Sequence, residues 1–493
     1  MMMKLRLIAA AAALVGLSSA NAIPVDQLAG AEKIYIAGAS ALRLSIGAHV
    51  ASICNNDLDV YFSKAGAAPA KDGDDHRAYA CTLKDALNGF AAGTKVVVFK
   101  RDLGGSGQGV APIAVQGTSD ARRLQAHLKI VNDATCVRTA NASPVTDFQL
   151  PSYVCSGTES VVSHAGISDV EPNLLMQGVN LGSGSAVDIS SLTSKPFVQA
   201  LFGVIVNKSA YAALQKAQGL DLVDSPLLNG VPDATQKDLF ERNIPSVPST
   251  FARSAFTSGA TGLASSARGW NLLIDTITDP KVVGKTLNVC RRVAGSGTQA
   301  ASNAFFANNP CGQGFGATSN VATVTGTIGV KTNSIAVVEA SSSGGVETCV
   351  GTTVENAVHA TDGKAYGIAV IGRENNPFAN GGDKGYRYVR LDGNAPSRAN
   401  ALTGAYPFVY ESTIQWNSNT VAPGSTVEAF LNGIATASKP SSLLIVDADT
   451  QEGVMSPPTS YGTRASLSTD ELKFASRVAR SAGNSCSVLK LNK

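Results

Sequence analysis

The chain has 493 residues, 44% apolar and 16% charged, a length that exceeds what one hydrophobic core serves and suits two domains of ordinary size. Apolar content of this order excludes a disordered chain. A formal net charge of +3 over so many residues excludes a broad nucleic-acid or anionic-membrane surface, so any charge specificity must be local.

The first element in chain order is a leader. Lys4 and Arg6 precede the apolar run from Leu7 to Leu17, and Ala20-Asn21-Ala22 has the small-x-small form of a signal-peptidase site, so cleavage is expected after Ala22. No cysteine sits at that cut to take a lipid, and no later apolar stretch reaches the roughly 20 residues of a membrane span. A periplasmic or secreted protein with no direct membrane insertion is expected. The 8 cysteines (Cys54, Cys81, Cys136, Cys155, Cys290, Cys311, Cys349 and Cys486) form an even set without CxxC or a cysteine–histidine cluster. In an exported chain this favours disulfides over metal ligation, and neither a metal nor a cofactor is expected. Local pairs such as Cys54 with Cys81 and Cys136 with Cys155 are two options within a connectivity that spacing leaves open.

A strand, a Gly/Ser turn and a helical stretch then recur. In "KIYIAGASALRLSIGAHVASIC", Ile34 and Ile36 alternate as in a strand, and Leu42, Ile46, Val50 and Ile53 follow at helical spacing, with Ser40 where an N-cap would be. In "TKVVVFKRDLGGSGQGVAPIAVQ", the apolar run Val96 to Phe99 gives way to Gly104, Gly105, Ser106, Gly107 and Gly109. In "TLNVCRRVAGSGTQAASNAFF", a strand leads through Arg292 and Ser296-Gly297-Thr298 into a helix whose buried stripe is Ala300, Ala301, Ala304 and Phe305, ended by Asn308-Asn309-Pro310. Further strands are predicted at "LFGVIV" from Leu201, "SIAVVEA" from Ser334 and "YGIAVIG" from Tyr366. Stretches 65–75, 180–194 and 376–385 read as loops or lobe connections. Strands alternating with helices predict α/β lobes on mixed, mostly parallel sheets.

These junctions suit a small oxyanion. A helix N-terminus has unpaired N–H groups and a partial positive charge, glycines let the backbone approach, and hydroxyls add donors. Ser40, Ser106, Ser296 and Thr298 supply the hydroxyls, and the planar cation Arg292 matches two oxygens of a tetrahedral anion. Each junction alone reads more readily as a merely capped helix, so the inference rests on their co-occurrence. Nucleotide sites are excluded: no glycine-rich turn ends in Gly-Lys-Ser/Thr, and "GGSGQG" lacks the G-x-G-x-x-G spacing. An enzyme is not expected, since neither G-x-S-x-G nor H-E-x-x-H occurs and the 5 histidines are scattered, with His164 near Asp169 reading as a loop or capping residue.

With "IAGASAL", "GGSGQGV", "AGISDVEP" and "RRVAGSGT" in that order, and "KAYGIAVIG" and "AYPFVYEST" after them, the chain resembles the periplasmic phosphate-binding proteins of phosphate ABC importers. The resemblance implies a two-lobed type II periplasmic-binding fold with two crossovers and a ligand cleft between the lobes. It implies a first lobe over 23–200 with extra segment at about 52–93, a second over 201–377 with extra segment at about 211–283, and a return to the first over 378–493. It also implies anion contacts from Ser40, the backbone of Ala41, Ser106, Asp169, Arg292, Ser296, Gly297 and Thr298, with inorganic phosphate as ligand, an importer permease as partner and a monomeric state. Asp169 would accept the proton that protonated phosphate carries and sulfate lacks. Two positions depart from the family pattern: Ala294 stands where an aspartate usually pairs with the arginine, and Ala41 where a bulky aromatic follows the first hydroxyl. A secreted or cell-surface scaffold that keeps the fold with a weakened cleft is the alternative, favoured by the extra segments and by Ala294.

Overall fold

The computed structural model describes residues 23–492 except 24, 64–74, 88, 133, 183–185, 224–240, 258–268, 313–327, 329–334, 360–362, 379–381, 437, 446–452 and 482–483. The leader and its cut after Ala22 lie outside the described residues, as do parts of both extra segments.

Eight strands form the framework: β1 (Glu32–Gly38), β2 (Lys95–Arg101), β3 (Ala165–Ser168), β4 (Leu192–Asn207), β5 (Leu287–Arg292), β6 (Ile335–Ala340), β7 (Tyr366–Gly372) and β8 (Val409–Asn417). Strands such as β2 and β7 are buried on both faces, which is why they read as unbroken apolar runs rather than alternating ones. In the first half β2, β1 and β3 lie side by side and parallel, and β8 follows antiparallel to β3. In the second half β6, β5 and β7 lie side by side and parallel, and β4 follows antiparallel to β7. Each half therefore repeats one order: second strand, first, third, then a strand that crosses between halves. The protein is a two-lobed α/β protein with a mixed sheet whose parallel core in each lobe is the part expected from the sequence.

The two crossing strands pair with each other. β4 is 16 residues long; Leu192–Leu201 pairs antiparallel with β8, and Phe202–Val206 continues into the second lobe against β7. Passing from β3 through β8 and β4 to β7, the strand direction reverses three times. The two parallel sets thus run in opposite senses, with their carboxyl ends turned toward each other. Apolar clusters cover both faces of each half: one around Ile34, Val98 and Trp416 and another around Tyr61 and Phe99 in the first, one around Phe202, Trp270 and Phe408 and another around Ile205, Val350 and Ile371 in the second.

Three features were not anticipated. Within the first extra segment, Asp59–Ser63 and His76–Thr82 continue the first-lobe sheet antiparallel beyond β2. The chain is also still in the second lobe after residue 378: Tyr386–Tyr388 pairs with Ile205–Asn207, and Tyr406 and Phe408 lie in the second-lobe core, so the return runs through β8. Finally, besides Cys54–Cys81 and Cys136–Cys155, disulfides join Cys290 to Cys349 and Cys311 to Cys486, leaving no free cysteine. No helix among the described residues is long and apolar enough to cross a membrane.

Backbone contacts among three glycines set where the "GGSGQG" turn sits. A Cβ at Gly166 would stand 1.7 Å from the Gly109 carbonyl oxygen, one at Gly109 2.2 Å from that of Ile167, and one at Gly38 2.1 Å from the same Ile167 oxygen. The turn therefore rests directly on β1 and β3. Gly166→Ala should lower unfolding stability by at least about 3 kcal/mol, because only rigid backbone can move to admit the methyl. Chemical denaturation checks this, and an unchanged midpoint would refute the contact.

Candidate functional site

The carboxyl ends of the parallel strands carry the residues singled out in the sequence. Ser40 and Ala41 follow β1, Ser106 follows β2, Asp169 follows β3, and Arg292 closes β5 just before Ser296-Gly297-Thr298. In an open parallel sheet this edge is where ligands bind. Ser106, Asp169, Arg292, Ser296 and Thr298 are all buried, while Ser40 is half-buried.

Ser106 and Asp169 form a mutual clamp. The Ser106 hydroxyl accepts the Asp169 backbone N–H at 3.1 Å and donates to Asp169 Oδ2 at 3.1 Å, leaving the buried Asp169 Oδ1 without a partner. Ser106 thus positions Asp169, and in this arrangement its proton is given to that carboxylate. Nor does Ser106 open a long helix. It begins a 3₁₀ turn, Ser106–Gly109, followed by the four-residue helix α1 (Ala111–Ala114), so little dipole is available there. Gly105, with φ +67° and ψ −159°, adopts a conformation that only glycine enters readily, which lets the chain double back after β2.

The second lobe supplies a full helix start. Ser296 caps α2 (Gly297–Ala307) by accepting the Gln299 N–H at 3.4 Å, so its own hydroxyl hydrogen remains available. The N-cap reading and the ligand reading are compatible here: one uses the oxygen, the other the proton. The lobes touch at this point. The Gly107 N–H donates to the Gly295 carbonyl at 2.8 Å, and a Cβ on Gly297 would lie 2.3 Å from Ser106 Oγ and 2.6 Å from Asp169 Oδ2. Asn180, on the link leading to β4, holds both sides of the turn: its carbonyl accepts from Gly295 N–H at 2.9 Å and its Oδ1 from Asn303 Nδ2 at 2.8 Å.

Arg292 is held without the carboxylate that Ala294 lacks. Its Nη1 donates to Ser343 Oγ at 3.0 Å and its Nη2 to the Ser341 carbonyl at 2.9 Å, while the buried Nε has no partner. These neutral anchors engage part of the fork, and the charges that act on it are those of Asp169 and Glu374. Arg292 is not the only cation acting on the cluster. Lys100 also acts on Asp169, although its Nζ is spent on three carbonyls and on Asp102 at 2.6 Å.

Glu374, at the carboxyl end of β7, was missed. Burial pushes its carboxyl up to about 7, the nearby Asp169 adds to the rise, and Arg43, three residues after Ser40, opposes it. In the sequence it is one charge in the loop-like "RENN", with no spacing to tie it to Asp169. Asp169 itself is pushed up to about 6 by burial, against the pull of Ser106, Arg292 and Lys100. Ser40 and Ala41 lie in the turn Ser40–Leu42 on the same sheet edge, but Ser40 does not act as the expected cap: Ala39 takes that position, and no side-chain capping bond forms there. Thr298, in the first turn of α2, is buried beside Ser296.

No family model matches the chain, and no curated relative does. Among solved structures it is similar to a putative phosphate ABC transporter substrate-binding protein with bound phosphate from Clostridium perfringens, at 11% identity and TM-score 0.38, covering 82% of this chain and 93% of that one. It is also similar to an ABC-type phosphate transport receptor from Vibrio cholerae, at 12% identity and TM-score 0.30, over 58% of this chain and 79% of that one. A third is PstS from Borrelia burgdorferi, at 9% identity and TM-score 0.31, over 82% and 92%. At such scores the likenesses carry no weight for ligand or residue roles, and the description of the fold stands on the strand order above.

Asp169 costs stability when ionised. Its folded-state pKa of about 6 lies above the usual 3.8, so the stability it contributes is present below pH 3.8 and is lost as pH rises through about 6. Asp169→Asn should therefore stabilise the protein by about 1–3 kcal/mol at mildly alkaline pH, by about half as much near pH 5, and not at all below the unfolded value of 3.8. Thermal unfolding across that range checks it; destabilisation at high pH would show that the charged form is better solvated than its burial implies.

Proposed function

We propose that the chain is an extracytoplasmic solute-binding protein, not an enzyme, that captures phosphate or a similar small oxyanion between its lobes, with Ser40, Ala41, Ser106, Asp169, Arg292, Ser296, Gly297 and Thr298 around it. The observation that carries this reading is a buried acceptor and a buried donor left open in one cluster: Asp169 Oδ1 and Arg292 Nε, close enough that each shifts the other's ionisation. A protonated tetrahedral anion answers both needs at once. Its O–H donates to Asp169, and its charged oxygens accept from Arg292, from the Ser296 hydroxyl and from the first N–H groups of α2. Sulfate offers no proton, and an unpaired buried acceptor costs about 1–3 kcal/mol before charge repulsion is added. Delivery to an importer permease from the periplasm would be the physiological setting, and four disulfides suit such a compartment.

A scaffold reading with a weak cleft has one observation in its favour: Glu374 adds a second carboxyl where an anion would sit. Calorimetric titration of dialysed protein with inorganic phosphate separates the two. A Kd below about 10 µM, near −7 kcal/mol, supports a receptor, and no response at millimolar phosphate supports the scaffold.

Given binding, Arg292→Ala should weaken phosphate affinity by at least about tenfold through loss of a charge-assisted donor; unchanged affinity would remove Arg292 from the site. The preference for phosphate over sulfate should narrow in Asp169→Asn, and in the native protein as pH falls through about 6, where Asp169 gains a proton and becomes a donor. Competition titrations read both effects, and equal discrimination in mutant and native protein would make Asp169 purely structural.

A further inference from the structure

A cavity of about 280 Å³ lies on the paired crossing strands, outside the cluster just described. Its walls include Ser194 and Pro196 from β4, Glu411 and Thr413 from β8, and Glu171 with Arg480. A second cavity of about 310 Å³, reaching Pro310 and the Cys311–Cys486 disulfide, shares Glu171 and Asn484 with it.

Glu171 is 6% exposed and only half satisfied: Oε1 accepts the Ser485 N–H at 2.7 Å, while the buried Oε2 has no partner. Burial raises its pKa to about 7, and Glu411 adds to the rise. Glu411 is itself raised by burial, against the pull of a long contact of 3.4 Å from Gln199 Nε2 to its Oε1 and of the backbone N–H and charge of Arg480. The cation on the cavity wall, Arg480, is already engaged: its guanidinium lies 4.4 Å over the Tyr410 ring and donates to the Val409 and Ser487 carbonyls. The cavity therefore holds one buried carboxylate oxygen without a donor, on Glu171, and a second carboxyl raised by burial, on Glu411, against one guanidinium turned largely to other partners. What it lacks is a positively charged group rich in N–H donors.

We propose that this cavity is a binding site for a small organic ammonium compound, whose N–H groups would be taken up by Glu171 and Glu411. The Ser194 and Ser481 hydroxyls and the Asn484 amide are placed to hydrogen-bond polar groups along the rest of such a molecule. An ammonium offers three donors on one compact charge, which suits two carboxylates converging from different segments. No group of three or more metal-ligating side chains is found among the described residues, which argues for an organic rather than a metallic cation.

Calorimetric titration of the full mature chain tests this above pH about 7, where Glu171 is ionised. The probes are 1,4-diaminobutane and ethanolamine, with 1,4-butanediol as neutral control and calcium chloride as metal control. Saturable binding of at least one amine, none of the diol, and at least tenfold weakening in both Glu171→Gln and Glu411→Gln is the expected result. Equal response to the diol, binding of calcium in place of amine, unchanged affinity in either variant, or no saturable heat from either amine up to about 10 mM, near −3 kcal/mol, would overturn the proposal. If Glu171→Gln fails to fold, Glu411→Gln decides alone. Phosphate enters none of these measurements, so this site and the interlobe site stand or fall separately.

Discussion

Antiparallel pairing of β4 with β8 is the constraint on which the rest of the molecule depends. Each lobe repeats a parallel triplet whose carboxyl end is its reactive edge, and the two edges face each other only because an odd number of reversals separates the triplets. Were the crossing strands parallel, one lobe would present its carboxyl edge and the other its amino edge, and Arg292 could not meet Asp169. The same pairing explains the length of β4. A strand of 16 residues spans about 50 Å, so it can serve both sheets without a break.

Within that frame, precision comes from side chains too small to interfere. Gly38, Gly109 and Gly166 let the turn after β2 lie flat on β1 and β3, and Gly297 lets the start of α2 reach the Ser106–Asp169 clamp. In this arrangement nothing larger than hydrogen fits at Gly297. An anion entering between α2 and Asp169 therefore requires the lobes to part, and the antiparallel strands joining the lobes are where such a motion would be absorbed.

The regular parts of this fold were legible because their signals are local. The strands at Tyr366–Gly372 and Ile335–Ala340, the glycine turns and the end of α2 at Asn308 follow from short-range pattern. β8 was not read as a strand, although its residues had been noted, since "VYESTIQWN" mixes polar and apolar side chains without clean alternation and is buried by both lobes at once. The site was half legible. Ser106, Asp169, Arg292 and Ser296 could be picked out by motif, but that the Ser106 proton goes to Asp169, or that Ser341 and Ser343 replace a carboxylate at Ala294, depends on chain segments that meet only in three dimensions. Glu374 carried no signal beyond being acidic, and Glu171 none beyond its place in "AGISDVEP"; what sets them apart is burial, which a sequence does not display.

If the cleft takes an anion as proposed, Asp169 and Glu374 together would decide which kind it tolerates. Burial raises Asp169 to about 6 and Glu374 to about 7, the latter with a contribution from Asp169, so near neutral pH the pair ranges from two acids to two bases. The guanidinium of Arg292, anchored by neutral oxygens, stays fully charged in each of these states. A ligand that brings both negative charge and a proton fits the mixed state, in which one carboxyl accepts and the other donates. A ligand with charge alone must find both carboxyls protonated, and one with a proton alone gains little from Arg292. In the proposed site, such a requirement would account for an ionisable group that costs the fold stability and that a serine is spent to hold in place.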